Sequence, residues 1–200
     1  MANFWLIADA HIDHRAIGMY RKGVVLPEDN NKLIFDFWKN HVTDRHKTLH
    51  RRDVVYCLGD MAFTPSANRL IQGMPGRKFL VRGNHDYVDS SDLLEVYEQI
   101  HGLLSKKSYW MSHAPVHPAE LYQRKNIHGH VHEKSITTED GKLDPRYLNV
   151  SVDALMSHFG KPMIDICDLR NYEQDLLDGK VKKMEHVSYT NPNKKSNGGA

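Results

Sequence analysis

Apolar residues in this chain fall into short continuous runs, separated by polar, glycine-bearing turns and by stretches of helical period. Phe4-Trp5-Leu6-Ile7-Ala8, Val54-Val55-Tyr56-Cys57-Leu58 and Lys78-Phe79-Leu80-Val81 lack the alternation of a half-exposed strand, so they read as strands buried on both faces. From Glu28 the period changes. Leu33, Ile34, Phe37, Trp38, His41 and Val42 share one helical face, and Glu28 and Asp29 occupy the first turn, where the helix dipole favours acids. Shorter helices are predicted over 66–72, closed by Gly73 and Pro75, over 92–100, and over 169–177, closed by Gly179. Further strands are predicted near 109–111, 126–128, 147–152 and 163–166, and 14–27 reads as a loop. Strands alternating with helices, followed by a strand-rich section, predict an α/β fold with a mixed sheet. No repeat or long linker divides the chain, so one domain is expected over 1–190. The polar, glycine-rich tail 191–200 is expected to be disordered.

Two hundred residues suffice to bury a core without disulfides. Lys and Arg number 27 against 25 for Asp and Glu, a near-balance that neither demands nor excludes a nucleic-acid partner. Cys57 and Cys167 both lie near apolar runs and read as buried thiols of a reducing compartment. With no signal-peptide pattern and no apolar stretch of membrane-spanning length, a cytoplasmic protein without membrane contact is expected. The fourteen histidines change the picture, because histidine is the commonest metal ligand and proton carrier near neutral pH.

Position sorts them. Three of the buried strands run into Asp9, Asp60 and Asn84, and ligands of open α/β sheets gather beyond the carboxyl ends of strands. In Asp9-Ala10-His11 and His130-Val131-His132 the flanking residues would point the same way if the backbone is extended. With His113 the set is Asp9, His11, Asp60, Asn84, His113, His130 and His132. Seven nitrogen and oxygen ligands without a thiolate exceed one tetrahedral ion and suit two divalent ions, of which Mn, Fe, Zn, Ni or Co match imidazole with carboxylate.

Asp9-x-His11, Gly59-Asp60, Gly83-Asn84-His85-Asp86, His113 and Gly129-His130-x-His132 occur in the order and approximate spacing of the calcineurin-like metallophosphoesterase superfamily, which the chain resembles over roughly residues 4–155. Asn149 to Asp153 also resembles the segment that follows the last motif in small bacterial and phage members. The resemblance implies a sandwich of two mixed β-sheets flanked by α-helices. It implies one ion on Asp9, His11, Asp60 and His132, and a second on Asp60, Asn84, His113 and His130, with Asp60 shared. His85 would be the proton donor, oriented by Asp86. Two ions about 3.5–4 Å apart activate a shared water and neutralise a phosphoryl group. The expected activity is therefore hydrolysis of a phosphate mono- or diester, on a small phosphorylated or nucleotide substrate. The alternative is a nuclease or cyclic-nucleotide phosphodiesterase with the same site. A non-catalytic scaffold on this fold should have lost ligands that are all present here.

The first motif departs from many small members at Ala10, Ile12 and Asp13, and Met61-Ala62-Phe63 lacks a further Asp; neither departure removes a ligand. His128 alternates with His130 and His132 but is expected to be structural, as are His41, His46 and His50. His14, His117 and His158 are weaker candidates for the cleft. Arg45, Lys47, Arg51 and Arg52 read as a solvated helix end. Arg15, Arg21, Lys22, Arg124 and Lys125 are candidates to grip phosphate, and Tyr20, Tyr87 and Tyr122 to stack on a base.

Overall fold

A computed structural model describes residues 2–44 and 52–181. Its first strand, β1 (Phe4–Ile7), alternates two buried faces: Trp5 and Ile7 enter one core, Leu6 and Ala8 the other. β2 (Val54–Cys57) repeats this, with Val55 and Cys57 on the first side and Val54, Tyr56 and Leu58 on the second. Burial on both faces is why these runs are continuously apolar. With β3 (Arg77–Val81), β4 (Gln99–His101) and β9 (Ile164–Asp165) they form a five-stranded sheet in the order β4-β3-β2-β1-β9, parallel except for β9. The second sheet, β5 (Leu104–Lys106), β6 (Tyr109–Met111), β7 (Lys125–His128) and β8 (Tyr147–Asn149), runs in chain order, with only the β5–β6 pair antiparallel.

The first core lies between the five-stranded sheet and α1 (Pro27–His41), α2 (Pro65–Gln72) and α3 (Ser90–Leu94), which contribute Ile34, Trp38, Ala67, Ile71 and Leu93. The second is shared by the two sheets, α4 (Val152–Phe159) and α5 (Ile166–Leu177). The result is the expected single-domain sandwich of two mixed sheets with flanking helices. α1 starts at Pro27, a residue suited to the first helical position, and the Asp29 carboxylate accepts the Leu26 N–H at 2.9 Å. In its last turns Trp38 is buried and donates its indole N–H to Pro75 O at 2.8 Å.

Four local expectations are corrected. The helix placed at 92–100 stops at Leu94, and 99–101 pairs with β3 as an edge strand, so sheet pairing overrides helical period there. The strand placed at 147–152 ends at Asn149; Ser151 then caps α4, its hydroxyl accepting the Ala154 N–H at 3.3 Å. The strand placed at 163–166 is confined to Ile164–Asp165, because Asp165 caps α5 through the Cys167 and Asp168 N–H groups. Cys167, in the first turn of that helix, is exposed, whereas Cys57 is buried. Residues 45–51, including His46, His50, Arg45, Lys47 and Arg51, and the tail 191–200 lie outside the described residues. Among the described residues no helix is long and apolar enough to cross a membrane.

Candidate metal centre

The carboxyl ends of β1, β2 and β3 point to one edge of their sheet, and those of β6 and β7 arrive there from the other sheet. The edges are joined where Ala8 N–H donates to Val150 O and Val152 N–H donates to Ala8 O, each at 3.0 Å. Beyond β1 and β2 the two loops stay zipped by backbone bonds from Asp9 N–H to Gly59 O, His11 N–H to Asp60 O and Ile12 N–H to Met61 O, at 2.9–3.0 Å. This edge carries two groups of ligand-type side chains. One is Asp9, His11 and His132; the other is Asp60, His113 and His130, and within each group the candidate ligand atoms lie within 4.8 Å of one another. Asp60 belongs to the second group.

The second group is tightly specified. His113 Nδ1 is 2.8 Å from Leu58 O, and a carbonyl only accepts, so Nδ1 carries the hydrogen. Nε2 then faces Asn84 Oδ1 at 2.9 Å, His130 Nδ1 at 3.2 Å and Asp60 Oδ2 at 3.3 Å. Asp60 Oδ1 accepts the His85 N–H at 2.8 Å. Three ligand-type atoms gathered around His113 Nε2, each of the four able to offer a lone pair once unprotonated, make a donor set suited to a cation. Burial alone would lower the His113 pKa, but the adjoining Asp60 and Asp9 carboxylates hold it above the usual imidazole value.

The first group shows the same need through atoms left without partners. Asp9 is wholly buried; its Oδ2 accepts the His130 N–H at 2.8 Å, while Oδ1 has no hydrogen bond. Neither ring nitrogen of His11 has one, and His11 Nε2 lies 3.9 Å from Asp9 Oδ1. Buried polar atoms are rarely orphaned in native proteins. Burial pushes the Asp9 carboxyl up to about 6 and the His11 ring down to about 3, so His11 is a neutral imidazole with a free lone pair. His132, whose ring stacks on His11 at 5.1 Å, gives its Nδ1–H to Asp153 Oδ2 at 2.8 Å, which leaves Nε2 for a ligand. The residues therefore fit two cations.

Backbone conformation explains how the side chains meet. Asp9, His11, Asp60, His130 and His132 all have positive φ, between 49° and 69°. The extended geometry expected for Asp9-x-His11 and His130-x-His132 is absent; left-handed turns aim Asp9 and His11 into one group and send His130 and His132 to different ones. The motif glycines serve close approach. A β-carbon on Gly83 would sit 2.3 Å from Asp60 Oδ1, and one on Gly129 2.3 Å from Asp9 Oδ2.

His85 lies on a cleft of about 680 Å³ beside the two groups, together with His14, Tyr20, Phe63, Val131 and Lys134. Its Nδ1 meets the Tyr87 hydroxyl at 2.9 Å. Among the described residues no hydrogen bond joins Asp86 to the His85 ring. The Asp86 carboxylate instead accepts three backbone N–H groups, from Gly83, Asp60 and Met61 at 2.8–3.0 Å, and so clamps the β3 loop to the β2 loop.

Other candidates divide. His14 reaches the cleft; His117 caps a short 3-10 turn, and His158 pairs with Asp175 at 3.5 Å. His128 is buried and belongs to neither group. Arg124 lies over Trp110 and Lys125 pairs with Glu173, while Arg21 is buried behind the first group rather than open to substrate. Sequence reasoning missed the roles of Asp153, which lies one residue beyond the strand expected at 147–152 and holds His132, and of Phe63, whose ring stacks on His11 at 5.3 Å.

No family model matches the chain. The gene 66 protein of Mycobacterium phage D29 is 26% identical over 206 residues, spanning 86% of this chain and 97% of that protein. Among solved structures, AQ665 from Aquifex aeolicus, described as a protein of unknown function, has a TM-score of 0.63 at 22% identity and covers 86% of this chain and 100% of its own. Pseudomonas putida nuclease MPE gives a TM-score of 0.43 at 17% identity over 64% of this chain and 61% of its own. An archaeal phosphodiesterase gives 0.47 at 13% over 83% and 94%. The likeness to AQ665 is a shared fold.

Proposed function

We propose that this chain hydrolyses a phosphate ester using two divalent ions held by Asp9, His11, Asp60, Asn84, His113, His130 and His132, with Asp60 shared between them. The observation that carries the reading is the pair of ligand groups, one gathered around His113 Nε2 and the other with Asp9 Oδ1 and both His11 ring nitrogens buried without a hydrogen bond. When bound, such ions supply a nucleophile at neutral pH by acidifying water and neutralise the charge of the phosphoryl group. Two carboxylates against two divalent charges leave about +2, and Asn84 adds an oxygen without cancelling more of it.

His85 is the proton donor in this reading. With Nδ1 engaged by Tyr87, Nε2 is the nitrogen that faces the leaving group; as the P–O bond breaks, its proton passes to the departing alkoxide and an alcohol is released. The His85 N–H bond to Asp60 Oδ1 couples the position of the donor to that of a ligand. Asp86 acts as a positioning residue through the three backbone groups it holds.

A second reading, a diester of nucleotide or nucleic-acid type, is favoured by the cleft wall. Tyr20, Phe63 and His14 offer ring faces and Lys134 a cation beside the metal groups, an arrangement suited to a stacked base with its phosphate. Both readings are tested by stripping the protein of metal, restoring Mn, Ni, Zn or Mg in turn, and following an aryl phosphomonoester and an aryl phosphodiester side by side. Metal-dependent turnover is expected, and the preferred ester chooses between the readings. Fewer than two ions bound per chain would overturn both.

A further inference from the structure

Arg21 comes from a segment that reads as an open loop, yet its side chain is 3% exposed and all five of its N–H groups are used. Nε donates to Asp153 Oδ1 at 3.0 Å, and one Nη2 hydrogen goes to Asp153 Oδ2 at 3.1 Å. The other Nη2 hydrogen goes to Asp9 O at 2.6 Å, and Nη1 serves Ala10 O at 3.2 Å and Asn30 Oδ1. Asn30 returns a bond to Ala10 O at 3.0 Å. Thus one guanidinium holds the carbonyls of the left-handed Asp9–His11 turn and, through Asp153, the Nδ1–H of His132. His132 is gripped at its backbone too, where its carbonyl accepts from Asn149 Nδ2 at 2.6 Å and Ser151 Oγ at 2.8 Å.

The destinations of these bonds are selective. Two of the Arg21 bonds end on the Asp9–His11 loop directly, and the other three reach the Asp9, His11 and His132 group through Asn30 and Asp153. None of the Arg21 or Asp153 bonds reaches the Asp60, His113 and His130 group, which is held by Leu58 O, the His85 N–H and Asn84 and meets the first group where the His130 N–H donates to Asp9 Oδ2. We propose that Arg21 and Asp153 form a positioning pair dedicated to the first metal site, setting the affinity of one of the two ions independently of the other. The proposal rests on the two-metal reading. Its physical basis is that a planar fork can satisfy two carbonyls and a carboxylate at fixed angles, which an ammonium group cannot. A carboxylate behind a ligand imidazole also fixes the tautomer that offers Nε2.

The test is titration of the metal-free, full-length protein with Mn²⁺, by calorimetry and by electron paramagnetic resonance. Native protein should bind two ions and show the signal of a coupled pair; failure to do so would sink the two-metal reading itself. Asp153→Asn and Arg21→Lys should each weaken one ion about 10–100-fold and leave the other at its native affinity, so that at intermediate Mn²⁺ the signal becomes that of an isolated ion. Asn84→Ala, which touches only the second group, should weaken the other ion, and the Asp153→Asn/Asn84→Ala double variant should weaken both. If Arg21→Lys does not fold, Asp153→Asn decides alone. The proposal is overturned if Asp153→Asn keeps both native affinities, if it weakens both ions together, or if it and Asn84→Ala act on the same ion.

Discussion

Gly129→Ala tests whether this site depends on a backbone approach that only glycine permits. A β-carbon there would meet Asp9 Oδ2 at 2.3 Å and Ala8 Cβ at 2.5 Å, where ordinary contact begins at 3.4 Å. Roughly 1 Å must therefore be opened, and neither neighbour has solvent to retreat into, since Ala8 and Asp9 are both 0% exposed. Overpacking of this kind costs about 1–3 kcal/mol. At about 2–4 °C per kcal/mol for a chain of this size, the metal-free variant should melt about 2–12 °C lower. The displaced carboxylate also loses the His130 N–H, held at 2.8 Å, and moves relative to His11 and His132. A ligand shift of about 1 Å is worth on the order of 100-fold in turnover. Gly102→Ala is the control: its β-carbon would find nothing within 4 Å, so its stability should change by less than about 0.5 kcal/mol. Thermal melts of the metal-free proteins, Mn²⁺ titration and ester hydrolysis read the three effects. If Gly129→Ala melts with the control and binds both ions as the native protein does, the close-approach argument is wrong.

Three further outcomes are expected. His85→Ala should lower turnover of esters with poor leaving groups by about 10²–10⁴-fold at unchanged metal content, and full activity in that variant would refute the donor role. Asp9 is pushed up from 3.8 to about 6 by burial, so the fold resists its ionisation, and stability is lost as pH rises from about 4 to 6. Asp9→Asn should therefore make the metal-free protein more stable by about 3 kcal/mol at pH 7, with the gap closing toward pH 4, as urea melts at the two pH values would show. Chelation should lower the melting temperature of the loaded protein. Free metal at about 100 times the dissociation constant contributes about 2.7 kcal/mol per site, and a melt indifferent to chelator would argue against resident ions.

The sheet strands were legible because a strand buried on both faces must be apolar throughout, as Leu6 and Ile7 show by entering opposite cores. α1 was legible from period, and its cap from Pro27 and Asp29. The edge strand β4 was not. Residues 99 and 100 fall at the end of the helical pattern read over 92–100, and only pairing with β3, outside that window, makes 99–101 a strand. α4 was hidden for the converse reason: Asn149-Val150-Ser151-Val152 looks like a strand until Ser151 caps a helix. The ligand types were legible from their places at strand ends, but Arg21 was not legible as a buried organiser. Its partner Asp153 lies 132 residues away, and nothing local to Arg21 distinguishes a buried guanidinium from a surface one.

His128, His130 and His132 carry the same lesson furthest. By period alone all three should face one way, yet His128 is buried within β7 while His130 and His132 enter different ligand groups. The switch is conformational: the chain leaves the strand at Gly129, and His130 and His132 adopt φ of 69° and 52°. A left-handed backbone costs a non-glycine residue about 1–2 kcal/mol. Of the nine such residues among those described, five are Asp9, His11, Asp60, His130 and His132. A fold selected only for packing has no reason to concentrate that strain on its ligand-type residues. The zipped β1 and β2 loops, the Asp86 clamp and the Arg21 fork hold the strained loops in place, and all three converge on the same edge of the molecule. Strain gathered there, offset by a hydrogen-bonded frame around it, is what a preorganised cation site requires, since ligands already turned inward need not be reordered when the ion arrives.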